Sequence, residues 1–195
     1  VATVSVNSNV YRMGDSTVKY FGSDGVQLSS APTDVGSYTV KIDVAQGGNY
    51  SAASDLCLDS WKFDITAATP AENDFTFAAP ENLVYDDSAK AATVELKPEI
   101  NGMGSFTVKY YKDGSAQGTT EAPVSPGTYK VKLDIEAGTN YTAYSDFTFE
   151  QWSFTIDPAV PTADDFTFTP PSDLIVNGSE KAVSVSKKAG IKGMG

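Results

Sequence analysis

The chain repeats itself, and that constrains its fold more than any composition value. Trp61 and Trp152 stand 91 residues apart. The same shift lays Tyr38 on Tyr129, Asn49-Tyr50 on Asn140-Tyr141, and Phe63 and Ile65 on Phe154 and Ile156. It also lays Asp74-Phe-Thr-Phe77 on Asp165-Phe-Thr-Phe168, and Gly102-Met-Gly104 on Gly193-Met-Gly195. Upstream of a one-residue indel the shift is 90, matching Ala2-Thr-Val4 to Ala92-Thr-Val94 and Thr17-Val-Lys-Tyr20 to Thr107-Val-Lys-Tyr110. A tandem repeat must build the same supersecondary unit in every period. The 195 residues hold just over two periods.

Two segments read as linkers, being small, Pro-bearing and free of alternation: Thr66-Ala-Ala-Thr-Pro70 and Asp157-Pro-Ala-Val-Pro161. They divide the chain into a first module, residues 1–68, lacking its opening strands; a complete second module, 69–158; and the opening strands of a third, 159–195. A division near 1–90 and 91–181 satisfies the period equally but cuts no linker. The chain starts inside a strand-like pattern, Val1-Ala-Thr-Val4, and so reads as a piece of a longer protein.

Within a module the apolar residues alternate. Tyr129, Val131, Leu133 and Ile135 interleave with Lys130, Lys132 and Asp134, as Tyr38, Val40, Ile42 and Val44 do with Thr39, Lys41 and Asp43. Period-2 alternation predicts strands with one buried and one wet face. Further strands are expected around Phe75–Phe77, Leu83–Tyr85, Val94–Leu96, Phe106–Tyr110, Phe147–Phe149 and Trp152–Ile156. About seven short strands in a period this long predict an all-β fold of tandem immunoglobulin-like antiparallel β-sandwich modules, without helices. Gly127-Thr-Tyr129-Lys-Val131 and Gly36-Ser-Tyr38-Thr-Val40 each place a Tyr just after a Gly corner and two residues before an inward Val. Tyr38 and Tyr129 are thus candidates for a tyrosine corner, in which the hydroxyl bonds upstream backbone; an ordinary buried Tyr at a strand start is the simpler alternative.

Composition narrows function. There is no His and one Cys, and 25 acidic against 14 basic residues leave a formal charge of −11. No His-based triad, His-ligated zinc, intramolecular disulfide or Cys-built cluster follows from such a set. The acidic surplus argues against nucleic acid and anionic membranes, which are bound through Lys and Arg. No apolar run is long enough for a membrane helix. The residues give no ground for a cofactor, a metal or catalysis.

The order of motifs from Pro80 through Asn-Leu-Val-Tyr-Asp-Asp-Ser-Ala-Lys-Ala91, then Gly102-Met-Gly104, Val108-Lys-Tyr110, Asp113-Gly114, Gly127-Thr-Tyr129 and Gly138-Thr-Asn-Tyr141, resembles the tandem MBG-type, immunoglobulin-like repeats of bacterial cell-surface proteins. The resemblance covers essentially the whole chain. It departs at Tyr85-Asp-Asp87, where such repeats often carry Tyr-Asp-Gly or Tyr-Asn-Gly. It implies an extracellular, non-catalytic spacer or adhesin segment whose partners are the neighbouring modules of the same chain.

A competing reading is a binding module for carbohydrate or a host surface protein. Alternation sends one ring of Tyr110-Tyr111 and of Tyr20-Phe21 outward, so Tyr111, Phe21 and Tyr144 are the candidate contacts; cross-strand or inter-module packing is the blander role. Trp61 and Trp152 stand in phase with apolar neighbours and read as core. Asp86-Asp87 and Asp164-Asp165 read as solvated turns, or as partial calcium ligands at module junctions. Cys57 aligns with Thr148 and reads as an inert thiol. Lys90, Lys181, Lys19 and Lys109, with the strand residues Asp43 and Asp134, could in principle form isopeptide cross-links, but Lys109 and Asp134 are expected on wet faces. The incomplete end modules raise a third reading, strand exchange between molecules.

Overall fold

The computed structural model describes residues 2–193. Met194 and Gly195, which the repeat pairs with Met103 and Gly104, and Val1 lie outside the described residues. The fold is almost wholly β, with twelve strands among the described residues: β1 (Ser16–Phe21), β2 (Gly36–Val44), β3 (Ala53–Leu56), β4 (Lys62–Ile65), β5 (Phe75–Ala78), β6 (Thr93–Leu96), β7 (Phe106–Lys112), β8 (Gly127–Ile135), β9 (Tyr144–Phe147), β10 (Ser153–Ile156), β11 (Phe166–Thr169) and β12 (Ser184–Lys187).

Two four-stranded antiparallel sheets have the same plan. In one, β1 lies along one edge of β2, with Ser16 opposite Val44 and Phe21 opposite Thr39. The other edge of β2 is shared: β4 covers its start, Gly36 opposite Ile65, and β3 its end, Val44 opposite Ala53. In the other sheet β7 flanks β8, β10 covers the start of β8 and β9 its end. β5 pairs with β6, and β11 with β12. β11 and β12 begin 91 residues after β5 and β6.

The alternating sequence of β8 explains its burial. Tyr129, Val131, Leu133 and Ile135 are buried, as are Trp152, Phe154 and Ile156. Their removal from water is the main favourable term available to a module of this size. Opposite them β5 brings Phe75 within 5.5 Å of the Phe106 ring and 5.4 Å of Phe147, and stacks Phe77 on Trp152 at 5.6 Å. Aromatic contacts at these separations add to the area burial.

Three features differ from the strand pattern read along the sequence. Leu83–Tyr85 forms no ladder. It is held by one parallel bridge, Val84 to Asp157, in which the Tyr85 N–H donates to the Asp157 carbonyl at 2.9 Å. Left-handed backbone on either side, at Asn82 and Asp87, stops the segment from extending. Phe147–Phe149 shifts to Tyr144–Phe147, because Asp146 also adopts positive φ and breaks the register of β9. Its N–H is received by the Asp134 carboxylate at 3.0 Å; in β3, Asp55 and Asp43 repeat this at 2.9 Å. Finally, a single 3₁₀ turn precedes each opening strand, at Glu72–Asp74 and Ala163–Asp165. The Asp74 and Asp165 carboxylates close these turns on the N–H groups of Ala71 and Thr162, both at 2.7 Å.

The chain divides into two compact units. One comprises Val1–Phe75, Leu96–Thr107 and Leu133–Phe147; the other Thr76–Glu95, Val108–Lys132 and Thr148–Gly195. The division passes through β7 and β8 and not through the Pro-bearing linkers.

Lys19 sits on a less wet face than its alternation suggests. Its side chain is 14% exposed and its ammonium meets Asp43 at 2.7 Å and Asp55 at 2.5 Å. Asp43 holds the Lys19 pKa above its ordinary value, with Asp55 assisting; Lys19 in turn holds Asp43 below the usual carboxylate range. Asp86 is depressed in the same way by Lys90, which is buried and 2.7 Å away.

Two outcomes follow. Leu133→Ala empties a fully buried site and should cost about 3 kcal/mol in denaturant unfolding. Val185→Ala, on exposed β12, should stay within about 0.5 kcal/mol. The depressed Asp43 and Asp86 contribute stability that is present above their unfolded pKa, about 3.9, and is lost as pH falls through their native values. The raised Lys19 contributes stability that persists below about pH 10.4 and is lost above it. Unfolding midpoints should therefore drop on the acid side of pH 4, and Asp43→Asn should flatten that limb.

Candidate functional site

The densest set of polar contacts between segments distant in sequence lies within the first compact unit, where the linker after the first module meets the second. It is built from four segments. One is the corner before β2. The Tyr38 hydroxyl donates to the Asp34 carbonyl at 2.8 Å, pinning Asp34 and Val35 in place. The equivalent Tyr129 hydroxyl donates to the Ser125 carbonyl, also at 2.8 Å.

The next is the Gly138-Thr-Asn-Tyr141 loop after β8. It crosses the Gly102–Gly104 loop so closely that side chains do not fit. A Cβ on Gly104 would overlap the Glu136 carbonyl oxygen, and one on Gly138 the Gly102 carbonyl oxygen. The Asn140 N–H donates to the Gly102 carbonyl at 2.9 Å, and the Gly138 N–H to the Tyr141 carbonyl at 2.9 Å. The first module repeats the crossing, with Gly14 against Ala45 and Gly47 against Arg12. Glycine recurs in these loops because two backbones must touch there.

The crossing delivers Asn140 to the corner. Its Oδ1 accepts the Val35 N–H at 3.0 Å; its Nδ2 donates to the Asp34 carboxylate at 2.9 Å and to the Asn101 carbonyl at 3.4 Å. One carboxamide thus pairs both its donor and its acceptor with adjacent residues of the corner. The last loop is the linker itself. The Ala68 N–H donates to the Asn140 carbonyl, and the Thr142 N–H to the Ala68 carbonyl, both at 2.9 Å, making a parallel bridge from Ala68 to Tyr141. The linker is therefore hydrogen-bonded backbone, not a loose tether.

Within the second unit, the segments matching these walls line a cleft of about 860 Å³. Ser125-Pro126 and Pro158–Pro161 correspond to the corner and the linker, and Gly190–Gly193 to residues 99–102, which lead into the glycine loop. Pro126 stands where Val35 donates its N–H, so the two-point reading by a carboxamide is impossible here. An ion pair lines this cleft: Lys192 meets Asp87 at 2.7 Å, which raises the lysine pKa.

The candidate contact residues lie elsewhere. Phe21 is capped by the Lys41 ammonium, 4.3 Å from its ring centre, and Tyr111 by Lys132 at 4.2 Å. Both rings are half-buried, and Tyr111 also closes over Gly118. Tyr144 is exposed and packs edge-on against Phe147 at 5.3 Å. Phe21 and Tyr144 belong to one unit and Tyr111 to the other. Of the acidic pairs, Asp86 is engaged by Lys90, Asn82 and the Ser88 N–H, and Asp165 by its own turn. Among the described residues no group of three or more His, Cys, Asp or Glu is arranged to hold a metal ion. The Cys57 thiol is exposed and donates to the Leu58 carbonyl at 3.3 Å.

Lys90 belongs to a cluster that sequence reading missed. In the second module Asn82 and Lys90 both meet the Asp86 carboxylate; in the third Asn177 and Lys181 both meet Asp173. Amide and carboxylate have exchanged places between the copies, while one of each remains beside the lysine. The exchange is visible in the aligned repeats as Asn82/Asp173 and Asp86/Asn177.

No family model, curated protein or solved structure matches this chain.

Gly104→Ala should lower the thermal midpoint, because the new Cβ strikes backbone and not a movable side chain. Gly114→Ala is the control. It has positive φ and open space around it, so it carries a conformational cost without a clash, whereas Gly104 carries the clash without a positive φ.

Proposed function

We propose that the chain is a non-catalytic spacer segment of a bacterial surface protein, in which successive β modules are joined stiffly and not flexibly. The observation that carries this reading is the hydrogen-bonded linker, with Ala68 stitched to residues 140–142 and Asn140 reading Asp34 and Val35. A flexible tether would leave its backbone to water; here the Ala68 N–H and carbonyl are both paired with residues 140 and 142 of the next module. The resemblance to tandem surface repeats, the acidic surplus and the absence of His support the same reading. A repeated spacer requires length, solubility and stiffness, and no reactive group.

The test is motional. In ¹⁵N relaxation, amides of β2 and of β9, which lie in the same compact unit, should report one common rotational correlation time. Asn140→Asp removes the donor to Asp34 and sets two carboxylates face to face. The correlation times should then separate while each module's chemical shifts away from the joint hold. Independent tumbling in the unsubstituted chain would sink the spacer reading.

A further inference from the structure

Of the eight asparagines in the chain, two precede glycine: Asn101-Gly102 and Asn177-Gly178. Glycine, having no Cβ, is the neighbour that least obstructs attack of its own backbone nitrogen on the asparagine side chain. Both glycines have left-handed backbone, with φ of 77° at Gly102 and 78° at Gly178. Conformation therefore does not separate the two sites; their surroundings do. Asn101-Gly102 is locked in the loop crossing. The Asn101 carbonyl accepts the Asn140 Nδ2 at 3.4 Å, and the Gly102 carbonyl accepts the Asn140 N–H at 2.9 Å and the Thr139 hydroxyl at 3.5 Å. A Cβ on Gly102 would overlap the Thr139 and Asn140 side chains, whereas one on Gly178 would meet nothing within 4 Å. Side chains hold the Asn177 turn. Its Oδ1 accepts the Ser179 N–H at 3.0 Å and the Lys181 ammonium at 2.9 Å, and its Nδ2 donates to the Asp173 carboxylate at 2.6 Å. The matching positions of the complete second module, Asp86 and Asp87, are exposed, so this turn lies at the surface of a closed module too.

We propose that Asn177 is a self-modification site at which the folded chain deamidates, and that the loop crossing protects Asn101 from the same reaction. The Gly178 nitrogen bonds to Asn177 Cγ and gives up its proton. The Cγ–Nδ2 bond breaks, and Nδ2 leaves with that proton as ammonia, closing a succinimide ring. Water then opens the ring at either carbonyl, giving aspartate or isoaspartate. Water is the one co-reactant, and nothing is oxidised or reduced. Two donors on Oδ1, from Ser179 and Lys181, stabilise the negative charge that builds on that oxygen as the nitrogen adds. Either product sets a second carboxylate beside Asp173, and isoaspartate also lengthens the backbone of the turn by a methylene. Asn101 must first leave the crossing, breaking its loop's bonds to Thr139 and Asn140, so its rate carries the local opening equilibrium as a factor.

Incubation of the folded chain at mildly alkaline pH, followed by ion-exchange chromatography and peptide mapping, tests this. A more acidic form should accumulate, with Asn177 converting at least about tenfold faster than Asn101, the ratio expected when a few hydrogen bonds must open first. In denaturant the crossing is gone and the two rates should converge. Lys181→Met keeps the length of the side chain and removes the ammonium. It should slow Asn177 in the folded chain and leave its rate in denaturant unchanged. Equal rates at the two sites in the folded chain, or an Asn177 that converts only in denaturant, overturn the proposal. A folded rate that Lys181→Met does not change overturns the part given to the donors on Oδ1.

Discussion

A sheet that buries only one face must find something to lie on that face, and this requirement organises the whole chain. Along β8 the side chains of Tyr129, Val131, Leu133 and Ile135 leave water together. β5, drawn from a segment more than fifty residues earlier, sets Phe75 against Phe106 and Phe147 and stacks Phe77 on Trp152. Where the opening strands are present, as in the second module, the core is dry. In the equivalent sheet around β2, Tyr20, Val40, Ile42 and Val44 are buried as well, while Leu56 and Phe63, which align with Phe147 and Phe154, are exposed, as are Phe166 and Phe168 of β11. Three copies of one pattern thus act as an internal comparison.

The joint uses a different kind of interaction. Its parts are backbone groups and one carboxamide, and their geometry depends on glycine allowing two loops to touch. Direction supplies what area does not. Asn140 pairs donor to acceptor and acceptor to donor at one corner, so a shift of one residue would leave both unmatched. The tyrosine at the start of β2 has a share in this, because its hydroxyl fixes the corner that Asn140 reads. A residue that serves its own module's strand start also sets the surface presented to the next one.

The charged residues follow the same economy. Lys19 lies between two aspartates, Lys90 and Lys181 each have one carboxylate, and Lys41 and Lys132 lie over aromatic rings. Rings that alternation alone sends outward are thereby covered by the aliphatic and cationic parts of neighbouring lysines. Strand alternation tells which face a ring is on, but not whether a long side chain on the next strand lies across it. Tyr111 and Phe21 illustrate the difference.

The sequence by itself determined the repeat, the class of fold, the strands carrying strong alternation, the two tyrosines placed for the corner and the absence of histidine chemistry. These are local or periodic properties, set by side chains a few residues apart or by one copy matching another. Only the tertiary structure decided that Leu83–Tyr85 is a single parallel bridge, that Asn140 meets Asp34 and Val35, that Lys19 is clamped, and where the compact units divide. Each depends on which distant segments pack together: Asn140 and its corner are separated by 105 residues or more. A hydrogen bond between loops is chosen by the final geometry of both, and nothing in the pattern of either loop alone names its partner.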